Sequence, residues 1–537
     1  MNDPRMPARE DCLVSELLDR RAATQGDQTA IIFEDGTSWT YADLRGRVRS
    51  FATALQALGV GYQDYVLSWL PNGPHALTLW YALNYIGAIY VPINTAYRGT
   101  LLDHVVENSG ASLMIADERL VEHLEGRTFS NLARVVVVGD RSKGHHESIE
   151  FLDEATLTSA QGEPASPTEP VQPWNTMMVI YTSGTTGPSK GVMISYVQAV
   201  SASRSHYWVT GEDRALVSLP LFHIGGTWPT YRALATGGSI AMISGFTTST
   251  FWDTVRDNQI TNVTLVSAMV SFLVRAPASD GDRDNTLKTV SAVPVNEDAM
   301  NFGKRFGVDI YSSFGMTEIS APITIGPNPD IIGSCGRPRA GVEARIVDEN
   351  DCEVAVGEMG ELILRSDTPW AFNHGYLKNP EGTARAWRNG WFHTGDGFKR
   401  DADGNFYFVD RIKDAIRRRG ENISAYEVER EILEHAAVAQ AAVVGIRSEH
   451  GEDEVLAVVV LKPDAALTHQ ELFEYLQPRM AHFMLPRYIR IAAELPYTPT
   501  HKLQKYLLRE LTPDTWDRTE AGIEVRRQAL AAKTISG

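Results

Sequence analysis

Between residues 29 and 319, short apolar segments rich in β-branched residues alternate with segments of helical periodicity. Residues 66–70, 88–92 and 177–181 are examples of the apolar segments. A strand that continues through a helix into a second strand usually forms a right-handed βαβ unit with parallel strands. The alternation therefore predicts an α/β fold in which mostly parallel sheets are flanked by helices.

The rest of the chain follows other patterns. Its 537 residues exceed what one hydrophobic core usually covers, so at least two domains are expected. Residues 340–410 change to short strands and turns, which predicts a β-rich subdomain. A charged segment then leads into a compact α+β pattern. The sequence thus predicts a large N-terminal domain at residues 1–409 and a small, mobile α+β domain at residues 415–537, joined by residues 410–414.

The charge balance restricts the classes of partner. The chain has 50 Lys and Arg residues against 67 Asp and Glu residues, a formal net charge of −17, which argues against binding to nucleic acid or an anionic membrane. Three cysteines without metal or redox spacing favour a reducing cytoplasm. The N-terminus lacks a signal-peptide core, and residues 75–94 are interpreted as a buried helix and strand. We therefore expect a cytoplasmic protein that does not span a membrane.

The segment at residues 182–191 is typical of an anion-binding loop. It follows a buried apolar strand and contains three glycines, several hydroxyl side chains and Lys190. Glycine lets the backbone approach a phosphate closely, and the lysine adds positive charge. The spacing differs from both the P-loop and the dinucleotide-binding fingerprint. A mobile surface loop is the alternative, but the strand and the lysine favour a phosphate cradle.

Four further positions have candidate roles, each with a structural alternative. His223, at a strand-to-glycine turn, lines a pocket or is a core histidine. Glu318, beside Thr317 after a buried strand, is a position for Mg²⁺ or a turn cap. Phe314 can stack on a base. Asp396 can accept hydrogen bonds from a ribose diol, or form a local turn.

These segments and four others resemble, in order, the motifs of the AMP-forming adenylating superfamily, which includes acyl-CoA synthetases, peptide-synthetase adenylation domains and luciferase-like ligases. The matching segments are residues 182–191, 219–223, 314–318, 360–362, 375–383, 391–396, 410–414 and 499–505. Residues 419–424 resemble the bacterial branch of carnitine and crotonobetaine-CoA ligases. The chain is identified as a member of the superfamily, and its fold and chemistry are expected to follow.

The resemblance implies a role for each matching residue. The residues implied to bind the β- and γ-phosphates of ATP are Thr182, Ser183, Gly184, Thr185, Thr186 and Lys190. Glu318, with Thr317 and Thr185, serves Mg²⁺ and the α-phosphate. The residues implied to bind the adenine and the ribose are Ser291, Ser313, Phe314, Asp396 and Arg411. Lys413 is the hinge residue, Lys502 is the catalytic lysine of the small domain, and Arg419 and Gly420 bind coenzyme A. Candidate walls of the acyl pocket are His223, Trp228, Met269, Ser312 and Ile319.

The implied reaction joins a carboxylic acid to coenzyme A through an acyl-adenylate, with diphosphate and AMP as products. Three departures from the usual motifs are Ser291 for glycine, Phe314 for tyrosine and His501 for the glycine before Lys502. A trimethylammonium substrate would require an acidic or aromatic cage, and no acid is obvious near Trp228.

Two other functions are weighed against this one. An enzyme that loads an acyl group onto a carrier protein would share the first step, and an amino-acid-activating module is disfavoured because no acid follows His223. A non-catalytic nucleotide-binding protein is disfavoured by the intact set of Lys190, Glu318, Asp396 and Lys502. Neither the acid that is activated nor the choice between monomer and homodimer can be read from the sequence.

Overall fold

The computed structural model describes residues 3–160, 162–182, 188–293, 295–411, 415–418, 421–448, 452–496, 505–523 and 525. The N-terminal part of the chain, up to and including the hairpin of the phosphate loop, contains α1 (Val14–Gln25), β1 (Thr29–Phe33), β2 (Ser38–Thr40), α2 (Tyr41–Ala57), β3 (Tyr65–Trp69), α3 (Pro74–Tyr85), β4 (Ile89–Pro92), α4 (Gly99–Ser109), β5 (Leu113–Asp117), β6 (Arg134–Val138), β7 (Glu150–Asp153), α5 (Ala155–Thr158), β8 (Thr176–Thr182) and β9 (Lys190–Ser195).

The central part of the chain contains α6 (Tyr196–Arg204), β10 (Arg214–Val217), α7 (Ile224–Thr236), β11 (Ser239–Met242), α8 (Phe251–Asp257), β12 (Asn262–Val266), α9 (Ser267–Arg275), β13 (Thr289–Val293), α10 (Glu297–Phe306), β14 (Asp309–Met316), β15 (Ser320–Ile325), β16 (Ser334–Pro338), β17 (Val342–Val347), β18 (Gly360–Ser366), α11 (Pro380–Ala386), β19 (Phe392–Arg400) and β20 (Phe406–Arg411).

The C-terminal part contains β21 (Ala415–Arg418), β22 (Glu421–Ser424), α12 (Ala425–Leu433), β23 (Val438–Arg447), β24 (Asp453–Leu461), α13 (His469–Leu476), β25 (Tyr488–Ile491) and β26 (Trp516–Asp517). Short 3-10 helices lie at Arg9–Asp11, Val121–Leu124, Arg141–Lys143, Arg388–Gly390 and Lys505–Leu508. No helix among these described residues is long and apolar enough to cross a membrane.

Two large sheets form the N-terminal domain, and most of their helix-connected strands are parallel, as the alternating pattern predicts. One sheet has the strand order β7-β6-β5-β3-β4-β8-β9, with an antiparallel step at β8–β9. The other has the order β17-β18-β19-β20-β16-β15-β14-β13-β12-β10-β11-β1-β2. Its strands are parallel from β14 through β13, β12, β10 and β11 to β1.

The far half of the second sheet, from β15 to β20, is antiparallel. This half is the β-rich subdomain that the strand-and-turn pattern of residues 340–410 predicts. Antiparallel strands need only short connections, whereas the parallel half requires crossing helices. The predicted α/β fold with a β-rich subdomain is therefore confirmed.

The small C-terminal domain has a sheet of order β23-β24-β25-β26 and a hairpin of β21 and β22, with α12 and α13 packed against them. Side chains on these elements share one apolar cluster with the first N-terminal sheet, including Val428 and Phe473 on one side and Leu67 and Val105 on the other. The two domains are thus packed together.

Local sequence explains several element ends. The Thr40 side chain accepts a hydrogen bond from the Asp43 amide, and the Asp43 carboxylate accepts one from the Thr40 amide, which closes a capping box at α2. Thr468 and Glu471 form the same arrangement at α13. Gly237 and Gly307 end α7 and α10 with φ values of +83° and +73°.

Strand pairing and backbone conformation decide three local features. Residues 141–173 contain β7, which extends the first sheet beside β6. The strand at residue 309 continues to Met316, because β15 pairs with its second half. Asp396 lies inside β19 and not at a strand end, because the positive φ of Gly395 (+71°) changes the strand's direction without ending it.

Candidate active site

The phosphate loop is held at both ends by one hairpin. Strand β8 is buried along almost its whole length, and its last residue, Thr182, pairs with Lys190 at the start of β9. The loop is therefore presented at the edge where the buried strand ends. Ser183, Gly184, Thr185 and Thr186 lie outside the described residues.

Tyr376 lies between the loop lysine and the predicted metal carboxylate. The Lys190 ammonium group lies 4.9 Å from the centre of the Tyr376 ring. The Tyr376 hydroxyl donates a hydrogen bond of 3.0 Å to Glu318 Oε1, and burial together with this carboxylate raises the pKa of Tyr376 well above its usual value. The structure thus brings together two residues that are far apart in the sequence.

The backbone around Glu318 is held from two other segments. The Asn373 amide donates a 2.6 Å hydrogen bond to the Glu318 carbonyl, and Gln198 Nε2 donates a 2.8 Å bond to the Thr317 carbonyl. Both Thr317 and Glu318 are buried. Their position is therefore fixed by the same strands and helices that fix the phosphate loop.

The predicted nucleotide-binding residues lie on neighbouring strands of the second sheet. Asp396 is buried and pairs in register with Arg411, whose side chain lies outside the description. Phe314 packs edge-on against Phe398, with ring centres 4.8 Å apart. Ser291 is buried with no hydrogen-bond partner for its Oγ among the described residues. Ser313 pairs with Thr324 in the neighbouring strand.

His223 caps α7 and is held in its neutral form. Its Nδ1 accepts a hydrogen bond of 3.2 Å from the Gly225 amide. Burial, with a smaller contribution from Arg417, lowers the pKa of His223 to about 4. A neutral imidazole that accepts at Nδ1 carries its proton on Nε2, so His223 offers one hydrogen-bond donor.

The turn after His223 requires glycine. A Cβ atom at Gly226 would lie 2.4 Å from the carbonyl oxygens of both Leu219 and Pro220. Only a residue without a side chain lets the helix start this close to the preceding strand end.

A cavity of about 50 Å³ lies where the two domains meet. The N-terminal domain contributes Thr182, His223 and Thr317, and the C-terminal domain contributes Glu421 and Met484. A groove of about 550 Å³ adjoins the cavity, and the two share Asn94, Phe222, Glu421 and Phe483 in their walls. Three of the predicted site residues thus line a cavity that adjoins a groove between the domains.

Two carboxylates of α12 connect the domains. The Ser189 hydroxyl donates a hydrogen bond to Glu427 Oε1, and burial raises the pKa of Glu427 to about 7. One turn further on, Glu431 accepts hydrogen bonds from the amide of Thr100, at 3.2 Å, and from its hydroxyl. Ser189 belongs to the phosphate-loop segment, so the position of the small domain is linked directly to that loop.

The structure does not gather the other predicted acyl-pocket residues at the small cavity. Trp228, Ser312 and Ile319 are buried but do not line it. Met269 packs against the apolar cluster under β12 and β13, and Ile319 belongs to the cluster of the β-rich subdomain. These assignments stay predictions.

Several predicted residues cannot be placed. Lys413, Arg419, Gly420, His501 and Lys502 lie outside the described residues. Conversely, the sequence analysis assigned no role to Tyr376 or Glu427, although Tyr376 lies inside a matching motif. Their contacts join segments that are remote in sequence, so only the motif that contains Tyr376 offered a signal.

Comparison with known proteins follows the same division of the chain. Residues 18–377 match the AMP-binding enzyme family, and residues 427–502 match the AMP-binding enzyme C-terminal domain. The chain belongs to the family of AMP-binding enzymes. It is 30% identical to a crotonobetaine/carnitine–CoA ligase of Salmonella enteritidis and 31% identical to that of Salmonella arizonae, each alignment covering 92% of this chain and 98% of the relative.

Similar solved structures include two kinds of enzyme. A double mutant of o-succinylbenzoate CoA synthetase (MenE) from Bacillus subtilis, bound with its product analogue OSB-NCoA, matches with a TM-score of 0.80 and 25% identity over 92% of this chain and 98% of that one. MenE in complex with AMP matches with 0.65 and 24% identity over the same shares. The amide bond synthetase McbA from Marinactinospora thermotolerans matches with 0.79 and 25% identity over 92% and 99%.

Proposed function

We propose that the protein is an ATP-dependent, AMP-forming acyl-CoA ligase. A carboxylic acid and ATP form an acyl-adenylate and diphosphate, and coenzyme A then displaces AMP to give the thioester. The observation that carries the proposal is the meeting of Thr182, His223 and Thr317 with residues of the small domain at the inner end of the interdomain groove. The predicted membership in an acyl-CoA synthetase family is confirmed by the match over nearly the full length of CoA ligases.

The first step requires a buried, positively charged site, because a carboxylate must attack a polyphosphate. Lys190 and the 182–186 loop hold the β- and γ-phosphates, and Lys502 neutralises charge in the transition state. The neutral His223 donates its Nε2–H to the substrate carboxylate and so orients it without a full charge. Adenylation converts a poor electrophile into one with AMP as the leaving group.

Mg²⁺ fits the donor set at Glu318. This ion usually takes one or two protein carboxylates together with phosphate oxygens. Glu318 would hold the ion with Thr185, and Tyr376 orients the carboxylate. The ion supplies charge neutralisation between the phosphates.

The arrangement of the domains supports the second step. The two MenE structures share essentially one sequence, so the TM-scores of 0.80 and 0.65 differ because their shapes differ. The shape described here is more similar to that of the structure with the CoA-product analogue than to that of the structure with AMP. The groove of about 550 Å³ between the domains then admits the pantetheine arm. Arg419 and Gly420, the predicted coenzyme A residues, lie outside the described residues. A hinge at Lys413 allows the alternative arrangement for the first step.

The proposal is tested by measuring diphosphate release with a panel of short, medium, aromatic, dicarboxylic and betaine acids, with and without coenzyme A. Release that depends on one class of acid, and a thioester with coenzyme A, is the expected result. Diphosphate release followed by transfer of the acyl group only to a carrier-protein thiol or to an amine would change the proposed acceptor. Because the structure is similar to that of an amide bond synthetase, the experiment must include an amine acceptor. ATP binding without release for any acid would overturn the proposal.

We also propose that the enzyme is cytoplasmic and acts on small-molecule substrates. It is a monomer or a homodimer. The negative net charge of −17 and the absence of a membrane-spanning helix among the described residues support this setting. Cell fractionation and light scattering would test it.

A further inference from the structure

Arg232, in the middle of the N-terminal domain, has no counter-charge. It lies on α7 and is 2% exposed. No carboxylate of a described residue pairs with its guanidinium group, and its Nε finds no hydrogen-bond acceptor there. Burial lowers the pKa of Arg232 to about 10. A buried charge without a partner is destabilising, so such a residue calls for a functional explanation.

The groups around Arg232 add further unsatisfied donors. Trp228, one turn earlier on α7, is buried, and its Nε1 also lacks an acceptor among the described residues. The same holds for Nε1 of Trp208, whose ring lies 4.9 Å from that of the buried His206. Burial lowers the pKa of the His206 imidazole well below its usual value, and the nearby charge of Arg232 lowers it further. We call Trp208, Trp228 and Arg232, with His206, the donor cluster.

The donor cluster is connected to the site of adenylation through two elements. Helix α7 starts at His223, and Arg232 follows nine residues later, about 13 Å along the helix axis. Trp208 stacks on Tyr311 at 4.1 Å, and Tyr311 lies in β14, the strand that leads to Thr317 and Glu318. The donor cluster is thus linked to His223 along α7, and to Thr317 and Glu318 along β14.

The chemistry of the cluster selects its ligand. The unsatisfied Nε1–H groups of the two tryptophans and the guanidinium group of Arg232 match an acceptor that carries negative charge, and an arginine fork fits a carboxylate best. A trimethylammonium group would be repelled by Arg232 and would offer no acceptor. The donor cluster thus differs from a site for a cationic tail.

We propose that the donor cluster binds a second carboxylate at the far end of the acyl substrate, so that the enzyme activates dicarboxylic acids. This inference rests on the proposed ligase function and specifies its substrate class. Binding of the second carboxylate supplies the counter-charge that Arg232 lacks and places the first carboxylate at His223. The stability lost by leaving the arginine unpaired in the empty enzyme is then recovered in the complex.

The first experiment compares kcat/KM for diphosphate release with pairs of acids of equal length, one monocarboxylic and one dicarboxylic, and with a trimethylammonium acid. The expected result is a preference for the dicarboxylic acid. In Arg232→Met this preference falls by roughly 10- to 100-fold, mainly through KM, because charged hydrogen bonds are lost. The Arg232→Lys variant is expected to keep part of the preference for the dicarboxylic acid.

Arg214→Met is the matched control. Arg214 is a partly buried arginine on β10, a strand that α7 contacts. Unlike Arg232, it donates hydrogen bonds to Ser239 Oγ at 3.0 Å and to the Asn258 carbonyl at 2.8 Å. Its removal is expected to lower stability and leave the ratio between dicarboxylic and monocarboxylic acids unchanged. An equal ratio in wild type and Arg232→Met, or a wild type that prefers the monocarboxylic or trimethylammonium acid, would overturn the inference.

A second measurement does not depend on catalysis. Arg232→Met removes an unpaired charge and keeps an apolar stem, so the Tm of the ligand-free protein should rise, whereas loss of a structural ion pair would lower it. A dicarboxylic acid should raise the Tm of the wild type and not that of Arg232→Met. If no acid releases diphosphate, the ligase function fails, and these thermal shifts still decide whether the cluster binds dicarboxylates.

Discussion

At the scale of single residues, the site depends on side chains whose environment defines their protonation state. Burial and Arg417 lower the pKa of His223 to about 4, so it is a neutral donor at pH 7. Tyr376 is held protonated by burial and by the neighbouring Glu318. Both effects arise because charged forms are poorly solvated in the interior.

The Tyr376 hydroxyl is expected to set the orientation of Glu318. Tyr376→Phe removes that hydrogen bond and keeps the ring against Lys190. We predict about a 10- to 100-fold fall in the rate of diphosphate release, with a higher Mg²⁺ requirement, since a hydrogen bond to a charged group is lost. Tyr62→Phe, whose hydroxyl bonds to Asn175 at 3.1 Å, serves as control and should leave the rate unchanged. Equal rates in both variants would contradict the role of Tyr376.

The turn at Gly226 gives a prediction about stability. Gly226→Ala places a methyl group against two backbone carbonyl oxygens, and we expect a loss of about 1–3 kcal/mol in the free energy of unfolding. Gly46→Ala, at an open and exposed position in α2, should instead stabilise by about 1 kcal/mol, because alanine favours helix. Urea titration of both variants measures the difference, and equal values would refute the close approach at Gly226.

At the scale of elements, α12 couples the small domain to the phosphate-loop segment. Glu427 receives a hydrogen bond from Ser189, and Glu431 provides acceptors for the first turn of α4. Helix N-termini favour such carboxylates because their first amides lack partners within the helix. The contact is therefore suited to hold one arrangement of the domains.

Glu427 should make this contact dependent on pH. Burial raises the pKa of Glu427 from its ordinary value of 4.5 to about 7 in the docked arrangement. The hydrogen bonds from Ser189 and the charge of Arg430 oppose part of this rise. The docked state then holds more protons between those values, so docking weakens as pH rises from about 4.5 to about 7 and changes little above that. Tyr97 and Glu421 also lie at this contact.

The measurement is the rate of thioester formation from supplied acyl-adenylate as a function of pH, together with interdomain fluorescence transfer. Glu427→Gln is neutral at every pH and should remove the pH dependence of docking. Glu434→Gln, at an exposed position just beyond α12, is the matched control and should keep it. The same dependence in wild type and Glu427→Gln would assign it to another group.

At the scale of the whole molecule, the two-domain design allows one cavity to serve two steps. The small domain described here contributes Glu421 and Met484 to the cavity wall and leaves a groove that leads outward. In the proposed reaction, Lys502 acts at the phosphates during adenylation, and thioester formation requires an open path for the thiol. A single rigid arrangement could not satisfy both requirements.

The division between the steps predicts opposite effects for two substitutions. Lys502→Ala should abolish diphosphate release and largely spare thioester formation from supplied acyl-adenylate, because the lysine acts only on the phosphates. Gly420→Leu should slow thioester formation and leave diphosphate release intact, because a side chain would block the thiol's path. Stopped-flow measurement of each half-reaction separates the two, and parallel losses in either variant would refute the division.

What the sequence determined by itself was local. The apolar periodicity predicted the mostly parallel sheets and the β-rich subdomain, and the ordered motifs identified the family, because both depend on residues close together in the chain. Tertiary structure alone decided which remote groups meet. The Tyr376–Glu318 bond, the Ser189–Glu427 contact and the unpaired Arg232 depend on long-range packing, and burial of a charge cannot be read from its neighbours in sequence.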